Sequence, residues 1–147
     1  MTFTHLLHPE IPKIKQININ GVRYYDTPDG TLISITSLLK NFTPEGILEW
    51  RKAVGEDVAN EVMRAAADRG SKVHKIIENC LSNKPENDLV GNYGELAARM
   101  FSQMVPALDK IDRIRALEKG LYSTRFGIAG RVDCIAEYDN ELTAADF

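Results

Sequence analysis

Two short apolar segments, Ile128–Tyr138 and Glu141–Phe147, flank Asp139-Asn140, a dipeptide suited to a two-residue hairpin turn. A turn there sets the register, with Tyr138 facing Glu141, Ala136 facing Thr143 and Asp133 facing Asp146. The neighbours Val132, Cys134, Ile135, Ala136, Leu142 and Ala144 are apolar, so both segments read as interior strands. Opposed carboxylates with Cβ atoms about 5 Å apart repel each other. Away from water their ionised forms are costly unless something cationic compensates. The residues alone leave three arrangements open. A hard divalent ion such as Mg²⁺ or Mn²⁺ holds the pair, one aspartate lies at a solvated strand end, or a bulge shifts the register. Gly127 and Gly130 near the start of the first strand mark close approach of a backbone or a ligand.

The rest of the chain supplies a β-rich start and a helical middle. Lys13 to Asn20 alternates imperfectly, Asn20-Gly21 is a hairpin turn, and Val22–Tyr25 is the return strand. Pro28-Asp29-Gly30 turns into a short strand, Thr31–Ser34, and Thr36 or Ser37 can cap a short helix. Pro44-Glu45 opens a helix that stops at Gly55, and Asp57 caps another that ends near Asp68. Arg69-Gly70-Ser71 reads as a break before a helix over 72–81, whose apolar stripe is Val73, Ile76, Ile77, Cys80 and Leu81. A loop over 83–88 precedes a helix over 89–108 with Leu96, Met100, Met104 and Leu108 at helical spacing, and strands follow over 114–124, 128–138 and 141–147. The order implies one sheet flanked by helices, α/β or α+β, in a single domain with regions 1–34, 35–110 and 111–147.

At 147 residues, with 44% hydrophobic and 27% charged residues, the chain can bury a core of its own. No apolar run approaches the roughly 18 residues of a membrane helix, and no targeting segment is visible at Met1–Glu10. Cys80 and Cys134, far apart in apolar contexts, read as reduced buried thiols of a cytoplasmic protein. A net charge of −3 argues against broad non-specific nucleic-acid binding but leaves room for a local basic patch.

His74 and Glu78 are four apart on the 72–81 helix and share a face. They read either as a core-edge histidine beside a solvated glutamate, or as a metal ligand beside a group that orients it or its water. Glu118 is either an exposed strand residue or a further acidic contributor. Arg69, Lys72 and Lys75 form either a solvated helix face or a phosphate-holding cluster.

Taken together, four segments resemble the RecB-like exonuclease branch of the PD-(D/E)xK nuclease superfamily, including its mitochondrial and phage-encoded members. They are Ile33–Leu39; Leu48-Glu-Trp50 with the downstream Arg69-Gly-Ser-Lys-Val-His-Lys-Ile-Ile-Glu78; Ala116–Ser123; and Gly127–Tyr138 followed by Leu142–Phe147. The resemblance runs from about Tyr24 to the end of the chain and implies a restriction-endonuclease-like α/β fold with a central mixed sheet flanked by helices and an N-terminal β-hairpin. It implies that His74, Asp133, Asp146 and the Phe147 carbonyl hold Mg²⁺ or Mn²⁺, and that Asp133, Asp146, Glu78 and Glu118 form the acidic catalytic set. Ser34, Thr36 and Trp50 match positions near the DNA path, beside Arg69, Lys72 and Lys75. The implied activity is metal-dependent hydrolysis of DNA, single-stranded DNA in many relatives, by a phage or bacterial protein.

The family lysine, two positions after the second aspartate, would fall beyond Phe147. The expectation is therefore an N-terminal portion, with the C-terminal part of the fold missing. Alone it would be inactive or weak, and a C-terminal segment or a separate polypeptide would complete it. The alternative is an inactive DNA- or protein-binding module derived from such a nuclease, using an unfinished sheet edge.

Overall fold

The computed structural model describes residues 1–6, 10–85 and 93–147. Its elements run β1 (Lys15–Ile19), β2 (Val22–Thr27), β3 (Gly30–Ser34), α1 (Ile35–Leu39), α2 (Glu45–Val54), α3 (Glu56–Leu81), α4 (Glu95–Leu108), β4 (Ile111–Ser123), β5 (Ile128–Tyr138) and β6 (Glu141–Ala145). The six strands form one mixed sheet in the order β1-β2-β3-β5-β4, with β6 also on β5. Among these strands the β3–β5 pairing, Ile33 with Ile128 and Ser34 with Ala129, is the parallel one, and an isolated parallel bridge joins His5 to Ile114. The architecture is the expected α/β one, with helices packed on a mixed sheet.

Turn chemistry explains the hairpins. Asn20 and Gly21 (φ 52° and 81°) and Asp139 and Asn140 (φ 49° and 68°) are left-handed pairs, as a type I′ turn requires. The second turn starts the β5–β6 ladder, which runs from Tyr138–Glu141 through Ala136–Thr143 to Cys134–Ala145. This is the expected register. On its other side β5 pairs with β4, where a shift between Asp112 and Ala116 coincides with a left-handed Arg113 (φ 48°).

Three helix expectations need correction. There is no break at Arg69–Ser71, because α3 is one continuous helix of 26 residues. A single interior glycine costs about 1 kcal/mol relative to alanine, and opening a helical turn would also forfeit backbone hydrogen bonds. Gly70 has no proline or left-handed neighbour to force a stop. The helix expected from 89 begins at Glu95, after the left-handed Gly94 (φ 86°); residues 86–92 lie outside the described set. Its inward face is Ala97, Phe101 and Leu108, joined by Met100, Met104 and Val105, whereas Leu96 is exposed. The α1 start also differs, since Ser34 occupies its N-cap position without a side-chain capping bond.

The core joins the C-terminal part of α3 to α4, the start of the chain, β4 and β5. Val73, Ile76, Ile77, Cys80 and Leu81, the full expected stripe, are buried there with Phe3, Phe101, Ile114, Cys134 and Ala136. The N-terminal part of α3 differs, because Ala59 is its one buried residue before Val73. With α2 it forms an arm on which Leu48, Val58, Val62 and Met63 are exposed. Both cysteines are buried and free, and burial pushes the Cys134 thiol up to about 11, helped by the charge of Asp133. Among the described residues no helix is long and apolar enough to cross a membrane.

This distribution predicts unequal truncation costs. Leu81→Ala should lower unfolding stability by about 2–5 kcal/mol, and Val62→Ala by no more than about 0.5 kcal/mol, in urea titrations. Comparable losses would contradict the exposed arm. Native protein should also leave both thiols unreactive to a disulfide reagent until denatured.

Candidate active site

Asp133 stands on β5 one residue before the last β5–β6 pair, Cys134 with Ala145, so Asp146 follows at the next step of the ladder. The ladder brings the two carboxyl groups side by side. Hydrogen bonding with Asp133 raises the Asp146 carboxyl above its ordinary value, with burial and the charge of Asp133 adding to it and His74 opposing it. The backbone amide of Phe147 donates to Asp133 Oδ2 at 3.0 Å. His74 Nδ1, from α3, lies 3.2 Å from the same oxygen. One carboxylate with a side chain 13% exposed therefore meets groups from the residues after β6 and from α3. Phe147 reaches Asp133 through its amide, whereas the sequence expectation concerned its carbonyl.

The pocket beside Asp133 has a volume of about 630 Å³ and lies between α3 and the sheet. From α3 it receives Gly70, Ser71, His74, Lys75 and Glu78, spaced three and four apart on one helix face. The absence of a side chain at Gly70 leaves this wall open, with nothing within 4 Å of a built Cβ. Lys75 Nζ pairs with Glu78 Oε2 at 2.6 Å. From the sheet come Asp133, Arg131 and Glu118. Glu118 sits between Leu117, which pairs with Cys134, and Lys119, which pairs with Val132, and so stands level with Asp133. It is left-handed (φ 51°), a strained conformation for a residue with a side chain. Burial raises its carboxyl, Asp133 and Glu78 add to the shift, and Arg131 opposes it. Arg131 Nε lies 2.8 Å from Glu118 Oε2.

The acidic residues and His74 thus gather, with Glu78 and Glu118 each held by a cation. The expected basic cluster divides. Lys75 faces the acidic pocket, but Arg69 and Lys72 line a separate recess with Tyr93, Gly94 and Glu95. Lys72 pairs there with Asp68 at 2.7 Å. Ser34 is buried at the β3–α1 junction and shares a 2.7 Å hydrogen bond with the Thr36 hydroxyl. Thr36 is exposed on α1, and Trp50 lies on the α2 arm. Arg131 was the residue missed. Its signal was position, since two residues before Asp133 on a strand is the same face.

Two neighbouring carboxylates offer the oxygen donors that a hard divalent ion takes, with one imidazole beside them. Among the described residues no three His, Cys, Asp or Glu side chains already converge as a finished metal cage.

The chain matches no protein-family profile. It is similar to the mitochondrial genome maintenance exonuclease 1 of Mus musculus, with 25% identity over 122 residues. That match covers 78% of this chain and 36% of the mouse protein, so the chain spans about a third of its relative. The similarity points to a nuclease-related chain at a distance.

The carboxyl pair predicts a pH signature. A raised native pKa means that the folded state holds the Asp146 proton more tightly than the unfolded state. That contribution is complete below the ordinary carboxylate range and is lost as pH rises through the native pKa. Asp146→Asn removes the titration, so in chelator-containing buffer the variant should gain stability relative to the wild type between pH 4 and pH 7. Parallel urea curves at the two pH values would rule out the shared-proton pair.

Proposed function

We propose that this chain carries the hydrolytic site of a metal-dependent DNA exonuclease acting on single strands. The observation that carries the reading is the β5–β6 register, which sets Asp146 beside Asp133, together with the His74 ring 3.2 Å from Asp133 Oδ2. Such a trio is costly without a cation, because like charges in a half-buried site repel. Asp133, Asp146 and His74 would hold Mg²⁺ or Mn²⁺, with the Phe147 carbonyl a further oxygen donor. A bound divalent ion supplies an activated water and positive charge against the phosphate oxygens.

The chain's own residues would do the remainder. Glu118, whose carboxyl is raised, and Glu78 are placed at the pocket wall to orient water or accept its proton. Lys75 and Arg131 bring positive charge to the same pocket, and Arg131 can meet a phosphate oxygen once it releases Glu118. Ser71 offers a neutral hydroxyl beside them. The distant similarity to an exonuclease agrees with this chemistry.

Mn²⁺ should raise the melting temperature of the wild type, and Asp146→Asn or Asp133→Asn should abolish that rise. Any metal-dependent cutting of end-labelled single-stranded DNA should fall at least about 100-fold in either variant. Absence of both the thermal shift and cutting would overturn the proposal. DNA binding without either would instead favour a binding module.

A further inference from the structure

We propose that a second recess, sharing Glu78 with the acidic pocket, holds a phosphate group of the bound nucleic-acid strand; this rests on DNA being the substrate. The recess has a volume of about 390 Å³, and its polar lining includes His5, Ser82, Arg115 and Lys119. None of the basic residues belongs to the acidic site.

Several features suit an anion here. Lys119 is exposed and has no ion-pair partner among the described residues. Arg115 gives one terminal nitrogen to Glu137 at 3.1 Å, and its side chain, 31% exposed, lines the recess, so its positive charge acts on an anion there. The carboxylate in the wall, Glu78, is already neutralised by Lys75 at 2.6 Å. The C-terminal end of α3, whose free carbonyls would repel an anion, is partly covered. Ser82 N donates to Glu78 O at 2.9 Å, and His5 Nε2–H donates to Leu81 O at 2.8 Å. That bond places the imidazole beside the recess, with no partner for Nδ1 among the described residues.

Continuity with the acidic pocket selects the occupant. Arg115, Glu118 and Lys119 lie on one strand, β4, and Glu78 borders both recesses. A polymer of phosphates can therefore enter both at once, one phosphate at the acidic pocket and another against Arg115 and Lys119. Backbone contacts of this kind position a strand without reading its bases.

The test uses the whole chain in metal-free, chelator-containing buffer, with fluorescent single-stranded DNA followed by anisotropy across a salt series. Lys119→Ala should weaken binding several-fold and reduce the slope of log K against log salt by about 0.7, and Lys119→Arg should restore both. Arg115→Gln should act in the same direction. If it unfolds, the exposed Lys119 pair of variants decides. Unchanged affinity and slope in Lys119→Ala would overturn the proposal, as would a wild type that binds no DNA. Inorganic phosphate that binds in a Lys119-dependent way, with DNA affinity untouched, would mean a free-anion site and also overturn it. Loss of the Mn²⁺ thermal shift in Asp146→Asn reads the acidic site separately, so the two readings can fail independently.

Discussion

Asp133 and Asp146 are held against each other by a ladder that begins at the left-handed Asp139-Asn140 turn. The remainder of the pocket is arranged around that contact. Pairing on both sides of β5 prevents Asp133 from moving away, and the Phe147 amide and His74 ring meet it from two directions. Backbone order in the core thus holds like charges together, against their repulsion, at a place where a cation can enter.

The long α3 helix supplies the opposite wall. Its C-terminal part is anchored by the buried Ile76, Ile77 and Leu81, while His74, Lys75 and Glu78 on the same turns face the pocket. One helix therefore couples core packing to the site, since rotating it to improve either face would spoil the other. Its N-terminal part leaves the core and, with α2, carries exposed apolar residues. Glu78 stands at the point where the acidic pocket meets the Arg115–Lys119 recess, which gives a single side chain two neighbouring environments.

Much of the fold was legible in local patterns. Asn20-Gly21 and Asp139-Asn140 revealed their hairpins, and the α3 stripe identified its buried face. Gly70 misled because glycine punctuates loops more often than it sits inside a helix, and here the surrounding turns outweighed its local cost. Leu96 misled because a four-residue spacing fits two adjacent helix faces, and packing against α3 and the sheet selected the one bearing Ala97 and Phe101. Among the site residues, the Asp133–Asp146 juxtaposition followed from a countable register. The division of Arg69 and Lys72 from Lys75 did not, although helical spacing distinguishes their faces, because the positions of α4 and the sheet around α3 were unknown.

By itself the sequence determined the Asn20-Gly21 and Asp139-Asn140 turns, the β5–β6 register and the buried face of α3 near its C-terminal end, because each depends on residues close together along the chain. Only the tertiary structure decided which charges meet. It set His74 on Asp133, Arg131 on Glu118 and Glu78 between two recesses, and it buried Ser34 away from solvent. The physical reason is that such pairings depend on where a helix crosses a sheet. That crossing is chosen by the summed burial of many apolar side chains, and no single motif encodes it.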